Sequence, residues 1–154
     1  MIKRIIPLLL YKDGRLVKGI NYQNYRDVGS TSSSIKIYNN QLADELMLIN
    51  ISERHSETQL FFNEVVKKSA QNCFIPLTTG GKITELKHIE KLLKSGSDKV
   101  LITSKIVEDI NFLTSASRNF GSQCIVVGVE YRFYNNDFFI TFNNSKNKTD
   151  ILLK

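Results

Sequence analysis

Small hydroxyl side chains and glycines follow two apolar segments of this sequence. Backbone N–H groups in a glycine turn, together with Ser and Thr hydroxyls, can donate hydrogen bonds to the oxygens of a phosphate group. A pair of glycines is a weak motif, and a turn that needs glycine beside two helix caps would use the same residues. The candidate phosphate-binding residues are Thr78, Gly80, Gly81, Thr103 and Ser104.

Both groups are predicted to lie at one end of a strand–helix–strand unit. FIPLT at residues 74–78 and VLI at residues 100–102 are apolar runs without polar alternation, as in strands buried on both faces. Thr84 can cap the helix between them, with Glu85 in its first turn, and Gly96 can end it in a left-handed conformation. Because the carboxyl ends of parallel strands form the ligand-binding face of α/β folds, we expect the two groups to meet there.

Strands and helices alternate along the rest of the chain. Further strands are predicted at residues 4–10, 44–51 and 123–129. Further helices are predicted at about residues 32–41, from Ser56 or Thr58 onward, and from Ile106 to Ala116 with an end near Gly121. Successive βα units of this kind predict either a β/α barrel or a doubly wound sheet.

Two segments interrupt this alternation. Residues 21–34 are polar and rich in Tyr, Ser and Thr, which predicts a long loop above the first strand, where loops are often functional. Residues 131–142 are aromatic around Asn135 and Asn136, which predicts a β-hairpin. The polar residues that follow the hairpin are assigned to no element.

Charge and hydropathy limit the partners. The chain has 154 residues and a net charge of +6. Its lysines are scattered and not interleaved with aromatic residues, which favours a solvated surface or a phosphorylated small substrate over a nucleic-acid partner. No apolar run approaches the roughly 20 residues of a membrane span, and the run from Ile5 to Leu10 is too short for a targeting segment. We therefore expect a cytoplasmic protein without membrane contact.

The cysteines and histidines predict no metal site. Cys73 and Cys124 each adjoin a predicted strand and are far apart in sequence, so we expect both thiols to be reduced and buried. Together with His55 and His88 they show none of the spacings typical of metal ligands. No cofactor is expected either.

Five segments carry a resemblance to a known family. They are RIIPLLLYKDGRLVKG, DELMLINI, FIPLTTGGKIT, SDKVLITS and FGSQCIVVGVE. In order and nearly without gaps, they resemble the cyclase subunit of imidazole glycerol phosphate synthase. The resemblance implies a TIM (βα)8 barrel, of which residues 1–154 form about the first half as one truncated domain. It also implies that a glutaminase subunit supplies ammonia to close an imidazole ring on a bis-phosphorylated aminoimidazole ribonucleotide.

The resemblance assigns one catalytic residue and removes another. Glu130 matches the family's catalytic Asp at the end of strand five, with one extra methylene. Leu10 stands where the family has its other catalytic Asp, at the end of strand one. Leucine can neither donate nor accept a proton, so half of the acid–base pair is missing and we expect impaired or absent activity of the chain alone.

The positions that match the family's phosphate-binding and substrate-contacting residues are partly identical and partly substituted in this sequence. Gly80 and Gly81 match two of three glycines in the family's strand-three loop, and Lys82 replaces the third. Thr103 and Ser104 replace an Asn–Thr pair. Lys18 falls in the substrate-contacting loop of the family, and the second phosphate site of the family has no counterpart in this sequence.

A group of charged residues matches the family's ammonia gate at the bottom of the barrel. Its members here are Arg4, Glu45 and Lys99. A ring of salt bridges that only caps one end of the barrel would use the same three residues.

Several functions remain open at this point. The first is a cyclase-type subunit that works with a glutaminase. The leucine-rich first strand is similar to a branch of the family found with surface-polysaccharide genes, which implies a paralogue relaying ammonia for amidation of a sugar. A half-barrel fragment without function and a doubly wound phosphate-binding sheet are also compatible with the sequence. Because a half-barrel leaves strands one and five as open edges, we expect a homodimer or a complementing half-barrel as partner.

Overall fold

Ten strands and six helices make up the computed structural model, which describes residues 3–20, 22–142 and 147–153. The strands are β1 (Leu8–Lys12), β2 (Arg15–Ile20), β3 (Gln23–Gly29), β4 (Leu46–Asn50), β5 (Leu77–Gly80), β6 (Lys99–Ile102), β7 (Ile125–Val127), β8 (Glu130–Tyr134), β9 (Asp137–Phe142) and β10 (Asn147–Leu152). The helices are α1 (Thr31–Asn40), α2 (His55–Leu60), α3 (Val66–Ala70), α4 (Leu86–Lys94), α5 (Ser104–Glu108) and α6 (Ile110–Phe120). A π turn, Phe61–Val65, joins α2 to α3.

Five parallel strands lie side by side in the order in which the chain runs through them. The larger sheet has the order β3-β2-β1-β4-β5-β6-β7, and its pairs from β1 to β7 are parallel. A doubly wound sheet would reverse its strand order at a switch point. The unbroken order instead confirms the predicted fold class, an α/β chain that forms the first five strands of a (βα)8 barrel.

The core lies between the strands and the helices outside them. Successive strand side chains point to opposite faces, so every second residue meets the helices. Strand residues in this layer include Leu9, Tyr11, Leu48, Leu77, Val100 and Ile102, and helix residues include Phe61, Phe62, Ile89, Leu92 and Ala116. Full burial of one such apolar side chain stabilises the fold by about 1.5–3 kcal/mol. The opposite strand face is therefore left to line the inside of the partial barrel.

The predicted long loop at residues 21–34 is wrong. Most of it forms β3, which pairs with β2 in a hairpin extending the sheet beyond β1, and α1 begins at Thr31. Arg15 and Asp27 join the two strands by an ion pair of 2.7 Å, and Lys12 lies 4.5 Å from the ring of Tyr25. The polar sequence hid this strand because both of its faces are largely exposed. Asn21 lies outside the described residues.

Strand one is also less open than expected. Its residues Leu10 to Lys12 pair with β2, so this part of the predicted open edge is covered within the chain. Regular strand structure begins at Leu8 rather than Arg4, although the carbonyl oxygen of Pro7 still accepts the N–H of Met47 at 2.9 Å. Pro7 has no N–H to donate, which prevents regular pairing on both sides there.

Helix boundaries differ from the predictions at two places and agree with them at a third. The second helical segment begins at His55, before Ser56 or Thr58. The segment from Ile106 to Ala116 is two helices, because Asp109 is extended and its carboxylate accepts the N–H of Asn111 at 3.0 Å. Gly96 follows α4 with a φ of 104°, as predicted.

The predicted cap of α4 and the predicted start of the last parallel strand, β7, are also wrong. Thr84 does not cap α4, since Glu85 is the N-cap residue and makes no side-chain capping bond. Strand β7 covers only Ile125–Val127, because Ser122–Cys124 forms a 3-10 turn after Gly121.

The predicted aromatic hairpin is confirmed as β8 and β9. Asn135 and Asn136, with φ of 49° and 64°, form its tight turn. A third strand, β10, was not predicted and pairs with β9, where Lys148 Nζ lies 3.7 Å from the ring centre of Phe139. Most of these strand residues are exposed, so periodic burial could not reveal β10.

Candidate functional site

An open cavity lies at the carboxyl ends of the parallel strands. It has a volume of about 240 Å³. Its apolar wall is formed by Leu8, Leu10, Ile49, Ile51 and Leu101, and its polar wall by Tyr22, Tyr25, Asn50, Gly81, Lys82, Thr103, Ser104 and Glu130. An adjoining cavity of about 190 Å³ is also lined by Thr84. The residues common to both cavities are Gly81, Lys82, Leu101, Thr103 and Ser104. The β5 and β6 loops therefore meet, as expected from strand order.

The glycine turn after β5 is fixed by close backbone contacts. A Cβ atom on Gly81 would overlap the carbonyl oxygen of Asn50, and one on Gly80 would overlap the carbonyl oxygen of Leu101. Gly81 has a φ of 94°, and Lys82 next to it has a φ of 59°. Left-handed conformations favour glycine, so Lys82 carries backbone strain of the order of 1 kcal/mol at a position where the resemblance has glycine.

Thr78 does not join the other candidate phosphate ligands. The hydroxyl of its neighbour Thr79 bonds to Ser97 at 2.6 Å among buried groups, and strand alternation directs Thr78 to the inner face. In register it lies between Met47 and Lys99, and it lines neither of the two cavities. Its side chain is buried, and its hydroxyl oxygen has no hydrogen-bond partner in the described part of the chain.

Leu10 and Glu130 line the same cavity. Leu10 comes from β1, and Glu130 is the first residue of β8, paired in register with Thr141. The two residues that the resemblance matches to catalytic carboxylates therefore both face this cavity. One of the two is a hydrocarbon, which makes that side of the cavity unable to exchange protons.

Lys18 lies outside the cavity lining. It is an exposed residue of β2, paired with Arg26 of β3. Tyr22 and Tyr25 from the same hairpin line the cavity instead, and sequence analysis did not single them out. Burial raises the pKa of the Tyr25 phenol, with smaller contributions from Glu53 and Tyr22, so the phenol remains a neutral O–H donor at physiological pH.

A charged cluster occupies the other end of the partial barrel. Glu45 precedes β4, is almost fully buried, and contacts the Arg4 guanidinium and the Lys99 ammonium. Lys99 Nζ lies 2.8 Å from Glu45 Oε2, and Arg4 bonds to Oε1. The three predicted gate residues thus form one cluster in which two cations surround a single buried carboxylate.

The histidines and cysteines do not assemble a metal centre. Within residues 3–20, 22–142 and 147–153, no three His, Cys, Asp or Glu side chains are arranged to hold a metal ion. Cys73 and Cys124 are free thiols, as predicted, but both are half-buried rather than buried.

No helix in the described ranges is long and apolar enough to cross a membrane.

Comparison with known proteins places this geometry in a family. Residues 4–153 match the family described as histidine biosynthesis protein. The chain is 41% identical over 148 residues to imidazole glycerol phosphate synthase subunit HisF of Parabacteroides distasonis, an alignment that covers 96% of this chain and 59% of that protein. It is 43% identical over 130 residues to the HisF subunit of Synechocystis sp., covering 84% of this chain and 49% of the relative.

The chain thus spans 49% to 59% of the length of these curated relatives. The match runs through every parallel strand, the cavity and the basal charged cluster. The chain belongs to the histidine biosynthesis protein family and is a relative of the HisF subunits of imidazole glycerol phosphate synthase.

Proposed function

We propose that this chain is a cyclase-type subunit of a glutamine amidotransferase of the imidazole glycerol phosphate synthase kind. The observation that carries the proposal is the cavity at the carboxyl ends of β1 to β7, where Gly81, Thr103, Ser104 and Glu130 converge. The family membership supports the same conclusion, because its members' names describe subunits of that synthase.

The substrate side of the proposal is an anion site between the β5 and β6 loops. One phosphate of an aminoimidazole ribonucleotide would contact the backbone of Gly81 and the hydroxyls of Thr103 and Ser104. Lys82, exposed on the same turn, adds positive charge. Gly80 supports the site indirectly, since its missing side chain allows β6 to approach. Lys18 remains a candidate for substrate contact from the β2–β3 hairpin.

The ammonia side of the proposal is the basal cluster of Arg4, Glu45 and Lys99. We infer that a glutaminase subunit docks at this end and delivers ammonia to the interior. The support is geometric, because a buried carboxylate holds two cations at the end of the barrel opposite the substrate cavity. The cluster would then act as a gate as well as a structural cap.

Ring closure itself is expected to be impaired. Glu130 can serve as one general acid or base, but Leu10 offers no partner. Removal of a positioned acid or base costs about 10²–10⁴ in rate. The described residues supply five parallel strands of the barrel, and we expect the full rate only when the remaining strands of the substrate site are also present.

A second candidate function follows from Leu10. An apolar residue at this position suits a paralogue that passes ammonia onward for amidation of a surface-polysaccharide sugar and performs no cyclisation. The apolar wall of the cavity, which includes Leu8 and Leu101 beside Leu10, supports this second function. If the chain binds neither a ligand nor a partner, we expect it to be a half-barrel fragment without function.

The partner side of the proposal includes a second half-barrel. The inner face of the sheet exposes apolar side chains, among them Leu8, and β7 has no strand beyond it within the described part of the chain. A second copy of this chain or a complementing half-barrel would cover both. No nucleic-acid partner is proposed.

An assay with the glutaminase subunit of an imidazole glycerol phosphate synthase tests the proposal. We expect the chain to bind that glutaminase, as measured by calorimetry, and to bind it more weakly when Glu45 is changed to Gln. With ammonium salts and the ribonucleotide, we expect ring closure at least about a hundredfold slower than with a complete HisF subunit. Binding to neither glutaminase nor ribonucleotide would contradict the proposal, and ring closure at the full rate would contradict the role given to Leu10.

A further inference from the structure

His88 holds the turn that lines the anion cavity. The backbone N–H of Thr84 donates a hydrogen bond to His88 Nδ1 at 3.3 Å, and the Thr84 hydroxyl lies 3.4 Å from the same nitrogen. The other ring nitrogen, Nε2, lies 3.1 Å from Glu85 Oε1. One imidazole therefore contacts two successive residues between the glycine turn and helix α4.

These contacts select one form of the ring. A nitrogen that accepts a hydrogen bond from a backbone N–H carries no proton of its own, so the proton of His88 must be on Nε2. From there it donates to the Glu85 carboxylate. The ring also packs against Phe62, with centroids 4.9 Å apart, and its side chain is only 17% exposed. The neutral Nε2–H tautomer satisfies every contact made by the ring.

The turn held in this way is part of the cavity wall. Gly81, Lys82 and Thr84 line the smaller cavity together with Ser104, whereas His88 is not in the lining. Gly81 and Lys82 both have positive φ, and Ile83 between Lys82 and Thr84 is buried. An uncommon backbone conformation of this kind persists only when its surroundings hold it in place. The bond from Thr84 to His88 is one such restraint.

We propose that His88 is a positioning residue for anion binding. Its unprotonated Nδ1 fixes the Gly81–Thr84 turn in the shape that receives the phosphate, and protonation at Nδ1 converts this acceptor into a donor and releases the Thr84 N–H. The inference rests on the anion site proposed above. It names no new ligand and adds a residue that acts on the site through Thr84.

The direction in which anion affinity changes when His88 is protonated distinguishes a positioning role from simple charge attraction. Glu85 favours the imidazolium, whereas Lys87 and Lys91 on α4 and His55 at the start of α2 disfavour it. Burial is the largest influence and lowers the pKa of His88 below its usual value near 6.5. A protonated His88 would by simple attraction strengthen binding of an anion. The positioning role predicts the opposite, a weaker affinity for the anion.

Sulfate is the suitable probe, because its charge is constant between pH 5 and 8 whereas phosphate changes charge in this range. The affinity is read from the amide signals of Gly81 and Ser104 during a sulfate titration, and the state of His88 from its ring nitrogen shifts. His88→Asn keeps an acceptor near the position of Nδ1, and His88→Leu removes it. A dispersed amide spectrum checks that each variant is folded.

We expect three results. The leucine variant binds sulfate about fivefold more weakly than the unmodified chain at pH 7.5, the loss of one ordinary hydrogen bond. The asparagine variant stays within about twofold and is insensitive to pH. The unmodified chain loses affinity as His88 takes up its proton, and at pH 7.5 its ring shows the Nε2–H tautomer.

The outcomes separate this inference from the proposed function. If the unmodified chain binds no sulfate at pH 7.5, the anion site itself is refuted and the role of His88 with it. If sulfate binds and the leucine variant binds equally well, only the role of His88 is refuted. A gain in affinity on protonation of His88 would show that its charge, and not its acceptor, governs the site.

Discussion

At the scale of single residues, Lys82 combines a strained conformation with a useful charge. It adopts a φ of 59° immediately after Gly81, in a region where a side chain is disfavoured by roughly 1–2 kcal/mol. The strain persists because the turn is confined between β4 and β6. In the proposed site the lysine would offset this cost by attracting the anion.

The strain can be measured by comparing Lys82→Gly with Lys82→Ala. Both changes remove the charge and the long side chain, and only glycine relieves the left-handed conformation. We expect the glycine variant to be more stable than the alanine variant by about 1 kcal/mol in urea unfolding, after allowance for the greater freedom of unfolded glycine. Equal stabilities would mean that Lys82 is not strained.

Glu45 is the residue on which the basal cluster depends. Its side chain is 5% exposed, and it is the shared partner of Arg4 and Lys99. Glu45→Gln leaves a half-buried ammonium on Lys99 without its carboxylate, so we expect a loss of about 1.5–3 kcal/mol in the free energy of unfolding. Glu64→Gln is the matched control, since Glu64 pairs with Lys68 on an exposed helix face and should cost at most about 0.5 kcal/mol. Similar losses in both variants would contradict the assignment of a special role to Glu45.

At the scale of elements, the end of β5 lies in close backbone contact with both neighbouring strands. Gly81 touches the backbone of Asn50 at the end of β4, and Gly80 touches Leu101 in β6. Glycine is required here for space as well as for conformation. This packing brings together the β5 and β6 loops of the proposed anion site.

Two alanine substitutions separate space from conformation. Gly81 and Gly14 have similar φ of 94° and 89°, but a Cβ on Gly14 would meet nothing within 4 Å. Gly14→Ala should therefore cost only the conformational strain of about 1–2 kcal/mol. Gly81→Ala adds a backbone overlap, and we expect at least about 2 kcal/mol more in chemical unfolding. If the two variants lose the same stability, the close approach at Gly81 is not what the geometry indicates.

The sequence predicts correctly those elements that are consistently buried or that end at a residue with a special backbone conformation. Buried strands such as β4 and β6 have apolar runs, and Gly96 marks the end of α4, so local pattern sufficed. Strands β3 and β10 are exposed on most residues and carry no alternation. Their existence depends on partners elsewhere in the chain, which no local pattern encodes.

The candidate site was predictable to a similar degree. Strand order alone brings together Gly81, Thr103 and Ser104, and the resemblance identified Leu10 and Glu130. Thr78 does not meet them, because the alternation of side chains along β5 sends it to the barrel interior. The contact between Thr84 and His88 joins residues four apart at the start of α4, and it depends on the extended conformation of Glu85 before the helix, which spacing alone does not fix.

At the scale of the whole molecule, the partial barrel exposes an apolar inner face. Leu8 is 56% exposed although it belongs to a central strand, because the neighbours that would cover it inside a closed barrel are not supplied by the described residues. Large exposed apolar patches are rare on soluble monomers and mark association surfaces. Association would bury this face together with the free edge of β7.

Sedimentation at micromolar concentration tests this expectation. We predict a dimer or larger species for the unmodified chain, and a shift toward monomer for Leu8→Lys, which places a charge on the inner face. Leu42→Lys is the control, because Leu42 is 85% exposed on the loop before β4 and is not part of the inner face. A monomer that binds no hydrophobic dye would refute association, and equal effects of the two lysines would refute its location.

A titration of the chain with inorganic phosphate, followed by the backbone amide signals, tests whether the β5 and β6 loops form the anion site of a cyclase-type half-barrel. We predict saturable shifts at Gly81, Thr103 and Ser104 and none at Glu45. Shifts confined to the exposed lysines of α4, with the glycine turn unaffected, would contradict the claim.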